Sequence, residues 1–259
     1  MVDKNVLKNY TSYMNELIKH CQAAKHIMFI TGAGISAASG LPTYRGVGGL
    51  YSGRTLLPPE LIMTKWTFNW FPSWVWSHLH KGYKAGSKAK PNIAHDSIVL
   101  MEALVDRITV VTQNVDGLHR KAGSNEVIEL HGHADELICS RCKAKFQGLD
   151  LSNLPKVPHC PQCNGILRPP VVLFGEDLPN EAISALTSAI IDNPDVVIAI
   201  GTTGNFEYVI QPMLDAKKAG KYTAVINPEK PKNFGFVDMW VRAKAEEALP
   251  ALVGALKAF

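Results

Sequence analysis

The feature that most constrains this chain of 259 residues is an alternation of short apolar runs with helical patterns. The apolar runs are four or five residues long and lie at 27–31, 108–112, 127–130, 171–174, 196–200 and 223–226. Helical patterns lie at about 4–24, 93–105, 180–191 and 207–219. Continuous apolar strands that alternate with helices are typical of a parallel sheet covered on both faces. The sequence therefore predicts an α/β fold.

Two regions interrupt this alternation. Residues 46–90 begin with glycines and contain Trp66, Trp70, Trp74 and Trp76, which predict a small helical module with buried aromatic side chains and no catalytic task. Residues 133–170 hold cysteines and many prolines and indicate an excursion from the sheet, which the chain rejoins at Val171. We expect one large domain with a small insertion.

Four of the five cysteines form two Cys-x-x-Cys pairs separated by seventeen residues. This spacing is typical of a tetrahedral four-thiolate zinc site, for which the ligands are Cys139, Cys142, Cys160 and Cys163. Four thiolates leave no open position for water, so this zinc is expected to be structural. Two reduced pairs or two disulfides are the alternative. The fifth cysteine, Cys21, lies on the apolar face of the first predicted helix and is expected to pack in the core.

The charge balance and the N-terminus bear on location and partners. The chain carries 27 basic and 23 acidic residues, a mild excess that indicates no nucleic-acid role, and a solvated face is the simpler interpretation of the basic residues around the cysteines. No segment reaches the roughly 18 apolar residues of a membrane span. The N-terminus resembles neither a signal peptide nor a transit peptide, and we expect a cytoplasmic, reducing location.

A glycine-rich turn follows the first predicted strand. Gly32-x-Gly34-x-x-Ala37 matches a loose dinucleotide-binding fingerprint, in which bare backbone and a helix N-terminus receive a pyrophosphate. A dehydrogenase would place an acid about 20 residues further on to hold the ribose. The first acid after this turn is Glu60, which disfavours hydride transfer.

Polar residues follow other predicted strands and are expected at the same sheet edge. Ordinary turns and helix caps explain each group alone but account poorly for all of them together. An imidazole at position 131 could act as a general base near neutral pH. The groups are Gln113-Asn114-Val115-Asp116, His131-Gly132, Gly201-Thr202-Thr203-Gly204 and Asn227-Pro228.

Six ordered motifs resemble the sirtuin family of NAD-dependent protein-lysine deacylases over about residues 24–255. They are Gly32-Ala33-Gly34-Ile35-Ser36, Gly40-Leu41-Pro42-Thr43-Tyr44-Arg45, Gln113-Asn114-Val115-Asp116, His131-Gly132 with the cysteine pairs, Phe174-Gly175-Glu176 and Ile226-Asn227-Pro228. The resemblance implies a Rossmann-like NAD-binding domain of residues 1–45, 91–132 and 171–259. It also implies a small domain made of a helical module (46–90) and a zinc-binding module (133–170). NAD+ and an acylated lysine would meet between the two.

The resemblance also implies roles for individual residues by matching position. NAD+ contacts are implied for Gly32, Ala33, Gly34, Ile35, Ser36, Arg45, Gln113, Asn114, Val115, Asp116, Gly201, Thr202, Thr203, Asn227, Pro228 and Ala245. The stretch that pairs with the substrate backbone as an added strand would be Val172, Leu173, Phe174 and Gly175.

His131 and Asn114 are the implied catalytic residues. Nicotinamide leaves, the acyl oxygen attacks the ribose carbon, and His131 then takes a proton from a ribose hydroxyl, so that deacylated lysine and O-acyl-ADP-ribose are released. His133 competes for the role of base, but the six-residue gap of the family between His-Gly and the first cysteine favours His131. His119 is expected to be structural.

The sequence departs from the family branch that removes succinyl and malonyl groups. Residues 42–49 resemble that branch, yet its Tyr-x-x-Arg pair, which grips an acidic acyl chain, is replaced by Leu79 and Gly82. We therefore expect a neutral acyl preference, acetyl first, although Lys81, Tyr83 or Lys84 could substitute by another route.

Two other functions remain open from the sequence. One is mono-ADP-ribosyl transfer to protein, which would not need His131 as a base for deacylation. The other is an NAD-sensing or zinc-ribbon binding module without turnover, which would need neither His131 nor Asn114. The expected partners are acylated-lysine proteins, with no membrane and no specific nucleic acid, and a monomer is favoured.

Overall fold

The computed structural model describes residues 4–43 and 59–258. Its strands are β1 (His26–Thr31), β2 (Arg107–Thr112), β3 (Val127–Glu129), β4 (Leu137–Cys139), β5 (Lys145–Phe146), β6 (Leu167–Arg168), β7 (Val196–Ile200), β8 (Tyr222–Ile226) and β9 (Met239–Val241). Its helices are α1 (Lys4–Ala23), α2 (Pro59–Ile62), α3 (Lys65–Trp70), α4 (Pro72–Gly86), α5 (Ile93–Met101), α6 (Leu118–Ala122), α7 (Asn180–Ile191), α8 (Glu207–Lys218) and α9 (Ala245–Lys257). No helix in these ranges is both long enough and apolar enough to cross a membrane.

Six strands form one parallel sheet in the order β3-β2-β1-β7-β8-β9. The predicted parallel sheet is therefore confirmed. β1 lies near its middle, and successive side chains of β1 enter two different cores. Ile27 and Phe29 pack with residues of α1, α5 and α9, whereas Met28 and Ile30 pack with residues of α7 and α8. Burial on both faces explains why the strand is apolar from Ile27 to Ile30.

The prediction of a sheet strand at 171–174 is wrong. Val171 and Phe174 form only isolated bridges, to Gly132 and to Thr64 respectively. The side chains of Val171 and Leu173 are instead buried in the small core that surrounds the cysteines, and Gly175, with φ of +80°, turns the chain away. The edge strand β9 was not predicted.

The cysteine-bearing excursion forms a separate antiparallel sheet in the order β5-β4-β6. Side chains of α3 and α4 share its core. Trp76 is fully buried there, and its indole Nε1 donates a hydrogen bond to the Leu167 carbonyl oxygen at 3.0 Å. The helical module and the cysteine-bearing segment are therefore packed together.

The prediction that the tryptophans of the helical module are buried holds only for Trp76. Trp66, Trp70 and Trp74 are 63%, 69% and 53% exposed. Trp66 and Trp70 are four residues apart and therefore share one face of the short helix α3. The buried face of α3 carries Thr67 and Phe68 instead. Cys21, in contrast, is buried as predicted, and burial raises the pKa of its thiol to about 12.

Candidate active site

The two glycine turns that follow β1 and β7 meet at the point where the strand order of the sheet reverses. Gly32 donates its amide to the Ile200 carbonyl at 2.9 Å, and Gly34 donates to the Gly201 carbonyl at 2.9 Å. A Cβ on Gly34 would lie 2.5 Å from Gly201 Cα, and Gly201 has φ of +60°. These glycines therefore permit close approach of two backbones, at the crevice where open parallel sheets bind ligands.

The turn after β1 is a 3₁₀ helix, Ala33–Ser39, which is held to the end of β2. The buried Ser36 donates through Oγ to Asp116 Oδ2 at 2.7 Å, and Asp116 Oδ1 accepts from the Leu118 amide at 2.9 Å. Ile35 is buried in the sheet core, and Ala33 is partly exposed. The carboxylate of Asp116 is thus fixed between the turn and the start of α6.

The amides of Gln113 and Asn114 connect three strand ends. Gln113 Nε2 donates to Thr202 Oγ1 at 2.9 Å. Asn114 Nδ2 donates to the Gly32 carbonyl at 3.1 Å and lies 3.3 Å from Ser36 Oγ. Both side chains are partly exposed and held in place before any ligand arrives.

Val115 faces the small core instead. Its side chain packs against that cluster, and its carbonyl accepts from the Ala134 amide at 3.1 Å.

His131 is held through both ring nitrogens. Nδ1 lies 2.8 Å from the Gln113 carbonyl oxygen, and Nε2 lies 2.6 Å from the Tyr208 hydroxyl. Because a carbonyl only accepts, Nδ1 carries the proton and Nε2 is the basic nitrogen. Burial lowers the pKa of His131, so the ring is neutral at pH 7. A neutral imidazole with an electron pair on Nε2 is suited to accept a proton.

The two other histidines near this site are placed differently. His133 pairs with the exposed carboxylate of Asp135. His119 is buried, and its Nε2 lies 2.9 Å from Thr31 Oγ1. Burial lowers the pKa of His119 to about 3, which keeps it neutral.

The residues expected near the adenosine half lie at the β7 and β8 ends. Asn227 Nδ2 donates to the Thr202 carbonyl at 3.1 Å, and Thr203 and Pro228 are exposed. Ala245 begins α9 and its methyl group is buried in the sheet core, which leaves only backbone groups for a ligand. Arg45 lies outside the described residues.

The stretch expected to pair with the substrate already uses much of its backbone. The Val172 amide donates to the His131 carbonyl at 3.0 Å, and the Leu173 amide donates to Glu176 Oε2 at 2.9 Å. Phe174 bonds through both backbone groups to the residues on either side of Thr64. Within the described ranges, the Val172 carbonyl and the backbone of Gly175 have no hydrogen-bond partner, so they remain for a strand-like ligand.

The four cysteines expected to bind zinc come together. Their Sγ atoms all lie within 4.8 Å of one another, with 3.5 Å between Cys139 and Cys163 and 3.7 Å between Cys142 and Cys160. A Zn–S bond of about 2.3 Å places the corners of a tetrahedron about 3.8 Å apart, which these distances match. A Cβ on Gly165 would lie 2.9 Å from Cys139 Sγ, so this glycine makes room for the cluster.

Sequence reasoning missed two residues that shape the site. Asn92 Nδ2 donates to the Ile35 carbonyl and to Ser39 Oγ, both at 2.9 Å, and so holds the 3₁₀ turn. Its position directly after a proline and before an apolar helix is an N-cap signal that could have indicated it. Tyr208, which contacts His131, has no signal in the sequence.

Fold and site together define a class of protein with a ligand crevice at the reversal of a parallel sheet, a neutral histidine beside it and a four-cysteine metal module. A sequence profile of the Sir2 family matches residues 32–207. The NAD-dependent protein deacylase 2 of Pseudomonas aeruginosa is 41% identical over 237 residues, which cover 89% of this chain and 92% of that protein. The NAD-dependent protein deacetylase 1 of Pyrobaculum aerophilum is 37% identical over 230 residues, covering 88% and 89%.

Solved structures agree with these sequence matches. A Sir2 homologue–NAD complex superposes with a TM-score of 0.86 at 33% identity, over 94% of each chain. A Sir2–p53 peptide–NAD+ complex superposes with a TM-score of 0.82 at 26% identity, over 95% of this chain and 99% of the other. The chain belongs to the Sir2 family.

Proposed function

We propose that the protein removes acyl groups, acetyl first, from lysine side chains of other proteins and consumes NAD+ in the reaction. The position of His131 is the observation that supports this proposal most strongly. His131 is neutral, its Nε2 is the basic nitrogen, and it lies beside the segments after β1 and β2 that hold Ser36, Asn114 and Asp116. The names of the curated relatives, protein deacylase and deacetylase, support the reaction class. When bound, NAD+ supplies an electrophilic ribose carbon and nicotinamide as the leaving group.

The residues at the sheet edge hold the reactants in one orientation. The amides of Gly32 and Gly34 already donate to the carbonyls of Ile200 and Gly201. These two glycines therefore provide space for a close ligand rather than hydrogen bonds to it. Asn114 and Asp116 are fixed by Ser36 and by backbone groups, and they present preorganised polar atoms to the nicotinamide ribose. Little side-chain entropy is lost when the ligand enters.

His131 serves as the general base. Its Nε2 takes up the proton that a ribose hydroxyl loses, and the imidazolium that forms keeps its Nδ1–H bond to the Gln113 carbonyl. A base of this kind contributes roughly 10²–10⁴-fold to the rate. Protein mono-ADP-ribosyl transfer would not need this base, which is why we place it second.

Zinc has a structural role in this proposal. Four cysteine ligands close the coordination sphere, so the metal has no position for water or substrate. The module that it stabilises carries Val171 and Leu173 in its core, and these residues flank the free Val172 carbonyl. The metal therefore holds the substrate-pairing stretch in place.

The wall expected beside the acyl chain supports a neutral acyl group. Leu79 packs against the small core, and position 82 is a glycine with open space around it. Tyr83 is buried, and Lys81 and Lys84 are exposed. No guanidinium stands at position 82 to pair with a succinyl carboxylate. Cytoplasmic location and a monomeric state are part of the proposal. The location is supported by all five cysteines being free thiols, and the monomeric state rests on the sequence.

The test is mass spectrometry of matched acetyl-lysine and succinyl-lysine peptides with NAD+, using the wild type, His131→Ala and the control His133→Ala. We expect acetyl removal with equimolar nicotinamide, lost in His131→Ala and kept in His133→Ala. A higher kcat/KM for the succinyl peptide would overturn the acyl preference. Nicotinamide release with both peptides unchanged would favour ADP-ribosyl transfer or NAD+ hydrolysis.

A further inference from the structure

The basic nitrogen of His131 already has a partner in this structure. Tyr208 donates its hydroxyl hydrogen to His131 Nε2 across 2.6 Å, while Nδ1–H is taken by the Gln113 carbonyl at 2.8 Å. The imidazole therefore has no remaining polar atom with which to reach a substrate hydroxyl. Any proton that arrives at Nε2 either displaces the tyrosine hydroxyl or passes through it.

The ring of Tyr208 is anchored on several sides. Tyr208 lies in the first turn of α8, and its ring stacks on Phe206 with centroids 5.2 Å apart and an interplanar angle of 10°. Both rings pack against the core between the sheet and α7 and α8. The His131 ring meets Phe206 and Tyr208 edge-on, at 6.0 Å and 5.7 Å. Moving the hydroxyl off Nε2 would break this packing, so displacement is the more costly route.

We propose that Tyr208 relays the proton from the ribose hydroxyl to His131, a role that rests on the proposed deacylation. The ribose hydroxyl gives its proton to Tyr208 Oη while Tyr208 gives its own proton to His131 Nε2. The electron pair of the broken O–H bond stays on the ribose oxygen, which bonds to the acyl carbon, and that carbon releases a bonding pair to the lysine nitrogen. Tyr208 ends unchanged, and His131 ends as an imidazolium.

The two proton movements belong to one step. Burial raises the pKa of Tyr208 to about 12, so a free tyrosinate does not accumulate at neutral pH. A hydroxyl that donates and accepts at once avoids that charge. Partial burial removes the Tyr208 hydroxyl and the His131 nitrogen from water, which by itself costs free energy. The relay explains why these two polar groups nevertheless face each other beside the crevice.

The test separates the steps before and after the base acts. Incorporation of labelled nicotinamide into NAD+ in the presence of acetyl-lysine peptide reports the early step, and deacylated peptide reports the whole reaction. For Tyr208→Phe we expect nicotinamide exchange within about 2-fold of the wild type and a deacylation kcat at least about 10-fold lower, the lower range of acid–base contributions. The control Tyr222→Phe removes a buried hydroxyl that has no partner among the described residues, at the opposite end of β8, and both rates should stay unchanged.

A second readout needs no reaction. In ¹⁵N spectra of the ligand-free protein, Tyr208→Phe should move the His131 Nε2 signal downfield, toward that of an unbonded nitrogen, and leave the Nδ1–H signal in place. Unchanged or faster deacylation in Tyr208→Phe would overturn the relay and make Tyr208 a cap. A parallel fall of exchange and deacylation would reduce it to a packing role. A wild type without nicotinamide exchange would instead refute the proposed function, while the spectra would still report the hydrogen bond.

Discussion

The ion pair between Arg168 and Glu176 offers the sharpest test of how residues 172–175, the proposed substrate-pairing stretch, are held in place. Arg168 donates to both carboxylate oxygens of Glu176, at 2.6 and 2.8 Å, and to the Val171 carbonyl at 2.6 Å. Glu176 also accepts the Leu173 amide. The two side chains are only 16% and 19% exposed, so both charges are largely removed from water. Loss of one partner would leave the other charge poorly compensated.

The expected magnitude follows from this burial. Breaking a fully buried pair costs roughly 3–5 kcal/mol, and the partial exposure here reduces the expectation to about 2–3 kcal/mol. Arg168→Met keeps an apolar stem but removes the guanidinium, whose Cζ lies 5.1 Å from the centroid of the Phe68 ring, and Glu176→Gln keeps the shape of the acceptor. Each single variant should show this loss in denaturant unfolding, whereas the double variant should lose little more than either one.

Two further readouts place the effect at the substrate-pairing stretch. Hydrogen exchange of the Leu173 amide should accelerate in Glu176→Gln, and KM for the acetyl-lysine peptide should rise while nicotinamide exchange at saturating peptide changes little. Burial tends to raise the pKa of Glu176, but the hydrogen bonds from Arg168 and Leu173 lower this pKa below its ordinary value. Its stabilising contribution is therefore complete above about pH 4.5 and is lost as pH falls through the depressed value. Additive single variants with unchanged KM would refute this reasoning.

Three other perturbations give direct expectations. Removal of zinc by a chelator should unfold the segment around β4–β6 and abolish deacylation. Near-UV circular dichroism and metal content, measured together, would follow the unfolding. Activity without metal would contradict a structural zinc. Burial lowers the pKa of His95 and His119 from 6.5, so the unfolded state binds more protons, and stability should be constant above about pH 6.5 and fall below it. His119→Gln should flatten that slope in denaturant midpoints measured at pH 7.5 and 5.5. Asn92→Ala removes the N-cap of α5 and should lower the free energy of unfolding by about 1 kcal/mol. The KM for NAD+ should rise, because the 3₁₀ turn loses its two hydrogen bonds from Asn92. An unchanged KM would limit Asn92 to helix capping.

Much of the sheet could be predicted because a strand buried on both faces has a continuous run of apolar residues. The runs at 27–30 and 196–200 are apolar at every position, and side chains of each strand enter both cores. The run at 171–174 carries the same signature, yet Val171 and Leu173 enter the small core and the backbone of Phe174 pairs with the residues on either side of Thr64. Periodicity reports that a segment is buried, but it does not report which neighbour buries it.

The candidate site was predictable to the extent that it follows strand ends. Gln113, Asn114 and Gly201 each come directly after a strand, so the topology brings them to one edge. Tyr208 reaches the same place from the first turn of α8, eight residues after the end of β7. Its direction depends on the path of the 201–206 connection, which no local pattern specifies. A residue whose direction depends on such a connection is therefore one that sequence patterns miss.

The placement of Gly132 links the proposed structural zinc to His131, the proposed base. Gly132 has φ of +71°, and a Cβ there would lie 1.9 Å from the Pro170 carbonyl oxygen. The chain can therefore pass Pro170 closely only with glycine after the base, and the Val172 amide then bonds the His131 carbonyl. Pro170 follows β6, which pairs with the cysteine-bearing strand β4. Loss of zinc would thus release the backbone on both sides of the base, and we expect it to lower kcat as well as weaken peptide binding.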